Sequence, residues 1–300
     1  MKPKLPSSAR PRLACELWPD RVFAARASER RDLVEAHTAR ALPGGTIAPG
    51  LTTANVLDGA SLTRAITEAL GAVCGRSRDV CAVLPDAAVR VVLLDFDTLP
   101  DNRADALGVI RFRLRKSLPF DPERAAICYQ AQREDGAVNV IAAVALASVV
   151  SEYEAAFQEA GYSPGVVLPS TLAALGVVDD SRPTLVIRAD QTATTVAIVD
   201  RQKLRLVRSL DRPAGTRVDT ERLADEIYPS LVFFEDNYGA QIERILVGGE
   251  ISAEQIAPAV ASHTQASVEP LVSERLVGGS LTGSSAPAAA LAGVAGALLG

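Results

Sequence analysis

One local plan occurs twice in this 300-residue chain, once in each half, and the duplication limits what the whole can fold into. In the first half, residues 12–18 and 21–27 are short extended runs parted by Pro19-Asp20. Residues 32–39 then alternate Leu33, Glu35, His37 and Ala39 against Val34, Ala36 and Thr38. Three antiparallel strands in a meander are expected. In the second half, residues 184–188, 194–199 and 204–210 repeat the pattern. Each meander leads into helices and further strands, so an α/β architecture that uses one unit twice is predicted.

Between the meanders the punctuation is clear. A Pro-, Gly- and Thr-rich loop at 42–53 precedes Leu62, Ile66, Leu70 and Val73, which fall at helical spacing after the candidate cap Ser61. Strands are expected at 80–84 and 89–96, and a helix at 103–118 with Leu107, Ile110, Leu114 and Leu118 on one face, stopped by Pro119. Its other face carries Arg111, Arg113, Arg115 and Lys116, which read as a solvated flank. Strands at 125–132 and 137–145 follow, so the order from Val89 is strand, helix, strand, strand. A helix with Val150, Tyr153, Phe157 and Ala160 ends at Gly161, and a short strand at 165–168 runs into a helix near Pro169-Ser170. The acidic, breaker-rich stretch 179–183 is the main boundary. Beyond the second meander, Asp219 can cap a helix carrying Leu223, Ile227, Leu231 and Phe234, and a strand at 245–247 enters Gly248-Gly249.

Composition excludes several function classes. Hydrophobic residues make up 48% of the chain, enough for one large core or two moderate ones. A net charge of -5 argues against a nucleic-acid partner, whose recognition needs a basic excess. Cys15, Cys74, Cys81 and Cys128 fall singly, with no histidine at ligand spacing, and read as reduced, mostly buried thiols in a reducing compartment. His37 and His263 stand alone, which disfavours a metal site or a Ser-His-Asp triad. Residues 1–11 read as a flexible tail, with no apolar run of signal-peptide length after it. The apolar stretches 140–150 and 286–299 fall short of the ~20 residues needed to cross a bilayer. The Ala- and Gly-rich end is expected as a closely packed core helix.

Three segments together carry a resemblance. Residues 104–120, "ADALGVIRFRLRKSLPF", 140–168, "VIAAVALASVVSEYEAAFQEAGYSPGVVL", and 223–249, "LADEIYPSLVFFEDNYGAQIERILVGG", resemble the PilM-type pilus-assembly proteins of the FtsA/PilM actin-like ATPase superfamily in order and spacing. The resemblance implies an α/β, actin-like (ribonuclease H-like) duplicated fold with an inserted strand-helix-strand-strand subdomain. It would place residues 12–86 and 148–180 in subdomain 1A, 87–147 in subdomain 1C, and 184–300 in subdomain 2A with a reduced 2B. Only about ten residues, 211–220, stand where the family has most of 2B.

The departures from the family pattern concern its nucleotide site. Where the family has Asp-Ile-Gly in the first hairpin, this chain has Glu16-Leu17-Trp18, and an indole would occupy the phosphate space. In the second hairpin, Arg188-Ala189-Asp190 stands in the same place. A cation replaces the metal-holding carboxylate, and a carboxylate faces the phosphate oxygens. Only Gly248-Gly249-Glu250, the adenosine-side turn, keeps its family appearance, and a tight strand-to-helix turn explains it equally well. ATP and Mg2+ are the family's ligands, but the residues here lead us to expect no cofactor and no catalytic residue.

The resemblance further implies a scaffold at the cytoplasmic face of a bacterial inner membrane. It would belong to a type IV pilus or type II secretion-like assembly and bind the cytoplasmic N-terminal tail of a PilN-like membrane protein through the 1A/1C region. The membrane would be reached only through that partner, and self-association is open. Two other readings are an active actin-like ATPase or small-molecule kinase in which Asp190 or another acid holds the metal in a shifted register, and an FtsA-type membrane anchor. The Ala/Gly tail lacks the bulky apolar face and basic rim that such an anchor uses.

Overall fold

The computed structural model describes residues 10–73, 75, 77–134, 136–179, 181–212, 216–278 and 286–300. The first half runs β1 (Leu13–Trp18), β2 (Arg21–Ala27), β3 (Val34–Ala41), α1 (Gly59–Val73), β4 (Asp79–Leu84), β5 (Arg90–Phe96), α2 (Arg103–Leu114), β6 (Ala125–Glu134), β7 (Ala137–Leu146), α3 (Ala147–Glu159), β8 (Ser163–Pro169) and α4 (Ser170–Ala174). The second runs β9 (Thr184–Ala189), β10 (Ala193–Asp200), β11 (Lys203–Asp211), α5 (Thr220–Tyr238), β12 (Arg244–Gly249), α6 (Ala253–Val260), β13 (Ser267–Pro270) and α7 (Ala292–Leu299).

Two five-stranded sheets have the same topology. One is ordered β3-β2-β1-β4-β8 and the other β11-β10-β9-β12-β13. In each, the antiparallel meander is followed by two strands that add in parallel. The three-stranded sheet β5-β7-β6 is inserted between β4 and β8 and carries α2 on one face.

Strand alternation decides what lies between the two large sheets. On β1, Leu13, Cys15 and Leu17 face α1 and α3, so Ala14, Glu16 and Trp18 point the other way, toward the second half. On β9, Leu185, Ile187 and Ala189 join the core under α5 and α6, which leaves Val186 and Arg188 pointing toward the first half. The middle layer therefore receives the charged side chains of both central strands. Helix α7 fills the rest of this layer. Although it follows the second sheet in the chain, it packs on β1, β2, β4 and α4 and is buried from Ala292 to Leu298. At its crossing with the α4 region, a Cβ on either Gly176 or Gly296 would overlap the other segment's backbone.

The inserted sheet is latched to the second half. The Gln132 amide donates to the Leu204 carbonyl at 3.0 Å and accepts the Leu204 N–H at 2.8 Å, as a neighbouring strand would. Beside it, Lys203 and Arg205 both pair with Glu134.

Some local expectations need correction. Ser61 is not the cap of α1: the helix begins at Gly59, and Asp58 Oδ1 accepts the Ser61 N–H at 3.0 Å. Helix α2 stops at Leu114 rather than 118, because the chain tightens there into a turn that starts with Arg115 N–H bonding the Phe112 carbonyl. Helix α6 and strand β13 were not foreseen, although Ser252 and Gln255 form a capping box visible as S-x-x-Q. Asp219 does cap α5, accepting the Arg222 N–H at 3.1 Å. Cys15 and Cys81 are buried and Cys128 is exposed, while Cys74 and residues 1–9 of the expected tail lie outside the described residues.

Candidate functional site

The site lies where the β1–β2 and β9–β10 hairpins face each other across the middle layer. Glu16 and Arg188 are 0% and 1% exposed, and the Arg188 guanidinium donates through Nη2 to Glu16 Oε1. The same oxygen accepts the Trp18 indole N–H at 2.8 Å and the Ser170 hydroxyl. Arg188 Nη1 stands 3.8 Å from Asp86 Oδ2, and its guanidinium carbon lies 5.5 Å from the Trp18 ring centroid. Asp86 is held in turn by the Thr171 N–H at 2.9 Å and by the Thr171 hydroxyl. One cation from the second half is thus clamped between two carboxyls and an indole from the first. From the α7 side, a Cβ on Gly293 would overlap the Glu16 carboxylate, so only glycine lets that helix close the layer.

The electrostatics are costly. Burial pushes the Glu16 carboxyl above its ordinary value and nearby Asp86 adds to this, while Arg188, Ser170 and Trp18 pull it back. Asp86 is likewise raised by burial and by Asp190, and lowered by Arg188 and Thr171. Glu16 Oε2, Arg188 Nε and Arg188 Nη1 make no hydrogen bond among the described residues. Two buried acids share one buried cation, an arrangement whose desolvation cost rivals its attraction.

Asp190 is not part of this cluster's ion pairing. Its Oδ1 accepts the Thr192 N–H at 2.7 Å, the Thr192 hydroxyl at 2.9 Å and the Ala193 N–H at 2.9 Å, closing its own turn. Its carbonyl accepts from Arg212, which also pairs with Glu250 at 3.2 Å. Gly248 and Gly249 lie in register with Arg188 and Ala189. Gly249 has φ 98°, and a Cβ there would overlap the Ala189 carbonyl. The Glu250 N–H bonds that same carbonyl at 2.8 Å. A Cβ on Gly248 would crowd Leu271 at 3.1 Å. The close approach of β12 to β9 accounts for Gly249, and the packing of Leu271 and the Ala289 carbonyl against β12 accounts for Gly248.

Of the six residues singled out in the sequence, Glu16, Trp18 and Arg188 meet, Asp190 lies at the edge, and Gly248 and Gly249 form the adjoining turn. Asp86, Ser170, Thr171 and Gly293 were missed. A carboxylate just after the apolar strand and Pro85, and a glycine in an otherwise buried Ala-rich helix, were the available signals. Among the described residues, no group of three or more His, Cys, Asp or Glu side chains could hold a metal ion, and no helix is long and apolar enough to cross a membrane.

Neither a family model nor a curated protein matches the chain. Solved structures do. A chain of the PilM-PilN type IV pilus biogenesis complex superposes with a TM-score of 0.76 at 19% identity, over 96% of this chain and 98% of that one. The fold is actin-like. The cytoplasmic domain of EpsL, an inner-membrane component of the type II secretion system of Vibrio cholerae, matches at 0.52 and 11% identity over 94% of this chain and 93% of that one. The ethanolamine utilization protein EutJ from Carboxydothermus hydrogenoformans matches at 0.52 and 10% identity over 96% and 89%. Between β11 and α5 the described residues contain no further element.

Proposed function

We propose that this chain is an actin-like adaptor that binds the cytoplasmic tail of a PilN-like inner-membrane protein and does not hydrolyse ATP. One observation carries the non-catalytic part: the place between the two hairpins is taken up by Arg188, Glu16, Asp86 and the Trp18 indole. Mg2+ and phosphates would need an open carboxylate and free backbone N–H groups there. Here the carboxylates already hold a guanidinium, so the residues present do not suit a magnesium nucleotide. Asp190, the acid on which an ATPase or kinase reading relies, spends Oδ1 on its own turn.

The adaptor part is supported by near-complete overlap with a chain from a PilM-PilN complex. The tail would dock between the first large sheet and the inserted sheet, by main-chain hydrogen bonds and apolar pockets rather than chemistry. The chain would then sit at the cytoplasmic face of the inner membrane through its partner. Titration calorimetry with Mg-ATP tests the non-catalytic reading: no saturable binding is expected. A low-micromolar dissociation constant, equivalent to about 8 kcal/mol, would overturn it.

A further inference from the structure

Large apolar side chains left exposed are concentrated on two helices. Val109 and Phe112 protrude from α2, while Tyr228, Val232, Phe233 and Tyr238 protrude from α5. Phe112 is 71% exposed, so it is not part of its own subdomain's core. On α2, positions 109, 112 and 113 share one face by helical spacing, which places Arg113 beside Val109 and Phe112, and Lys116 follows in the turn just past the helix end. Neither cation has an ion pair among the described residues, whereas Arg111 and Arg115 both reach Glu123. On α5, positions 228, 232, 233, 235 and 236 adjoin, so Glu235 and Asp236 border Tyr228, Val232 and Phe233. The two stripes have the same apolar-plus-charged design with opposite sign.

The placement of the α5 acids is informative. Glu235 and Asp236 lie in the last turn of a long helix that has no basic residue there, so they face the negative end of its dipole. Local helix stability would prefer cations at these positions. An acidic rim kept against that preference fits a docking role.

We propose that the α2 stripe of Val109, Phe112 and Arg113, with Lys116 just beyond the helix end, docks on the Tyr228–Asp236 face of α5 of a second copy of this chain. Aromatic and aliphatic side chains from both stripes would be covered, and Arg113 and Lys116 would meet Glu235 and Asp236 at the rim. Because the two patches differ, the contact is either made twice, reciprocally, about a two-fold axis, or made head to tail, closing into a ring or extending. The proposal does not depend on the adaptor reading.

Charge exchange in the full-length chain tests it by sedimentation velocity. Wild type is expected to associate with rising concentration and to weaken with salt, since exposed charges are screened over about 8 Å at physiological ionic strength. R113E/K116E and E235K/D236K should each weaken association roughly tenfold or more, because like charges then face each other. An equimolar mixture of the two variants should recover it, since each presents the complement of the other. Folding is checked independently by melting: E235K/D236K should melt no lower than wild type, because lysines suit the helix C-terminus. A wild type that stays monomeric over the range, variants that associate as wild type does, or a mixture that fails to recover would each overturn the proposal. So would binding of monomeric wild type to anionic phosphatidylserine vesicles that R113E/K116E abolishes, which would make the α2 stripe a membrane contact.

Discussion

Removing the Arg188 guanidinium would leave Glu16 and Asp86 buried without their cation. Arg188→Ala is therefore expected to cost about 3–5 kcal/mol in denaturant unfolding, because an uncompensated buried charge is far more expensive than a missing contact. Arg188→Met combined with Glu16→Gln and Asp86→Asn should recover much of the loss, since the charge problem then disappears. A midpoint unchanged in the single variant would show that the cluster does not hold the halves. The pH dependence has a definite sign. Both carboxyls are raised in the fold, chiefly by burial, so their contribution is most favourable when they are protonated. It is lost as pH rises from the ordinary carboxyl range near 4 through the raised values. Without Arg188 the raise grows, and the variant should gain stability relative to wild type between pH 7 and pH 5. Glu134 works in the opposite sense: Arg205 and Lys203 hold it down at about 2, so its contribution is present above about 4.5 and lost only as pH falls toward 2.

At the scale of elements, α7 closes the middle layer through glycines. Gly296→Ala or Gly176→Ala would drive a methyl into backbone across the crossing, where no side chain can move aside. A loss of roughly 1–3 kcal/mol is expected from overpacking, even though alanine would gain up to about 1 kcal/mol in helix propensity at Gly296. Thermal unfolding checks it, and an alanine variant as stable as wild type would mean that the helices separate easily. The latch between the inserted sheet and β11 is a second element-level feature. Gln132→Ala would leave the buried Leu204 N–H without its acceptor, at about 1–3 kcal/mol locally. Native-state hydrogen exchange at Leu204 should then be faster by about tenfold or more, as 1.4 kcal/mol is a factor of ten. Unchanged exchange would place the protection elsewhere.

For the molecule as a whole, the buried cluster, the helix crossing and the latch all join the two halves, so a ligand for one face should stabilise all of it. A synthetic peptide from the cytoplasmic N-terminus of a membrane protein encoded beside this chain is expected to raise the melting temperature. Binding only to the folded state contributes about 2.7 kcal/mol at one hundred times the dissociation constant. A scrambled peptide of the same composition should give no shift. Equal shifts with both, or none with either, would remove the basis for the adaptor reading.

Local signals in the sequence determined most of the elements. The two meanders, the inserted strand-helix-strand-strand order, the Asp219 cap and the Gly161 stop at φ 80° follow from alternation, helical spacing and turn chemistry, which act over a few residues. The identities of Glu16, Trp18 and Arg188 also marked the facing hairpins, because each breaks the pattern expected there. Only the tertiary structure decided what those residues do with one another. Arg188 and Glu16 are 172 positions apart in the chain, and their pairing requires two sheets to stack with β1 and β9 turned inward. Asp86 and Gly293 became part of the site for the same reason: the β4 turn and the C-terminal helix reach that layer through long-range packing. Neither local propensity nor spacing carries information about such contacts.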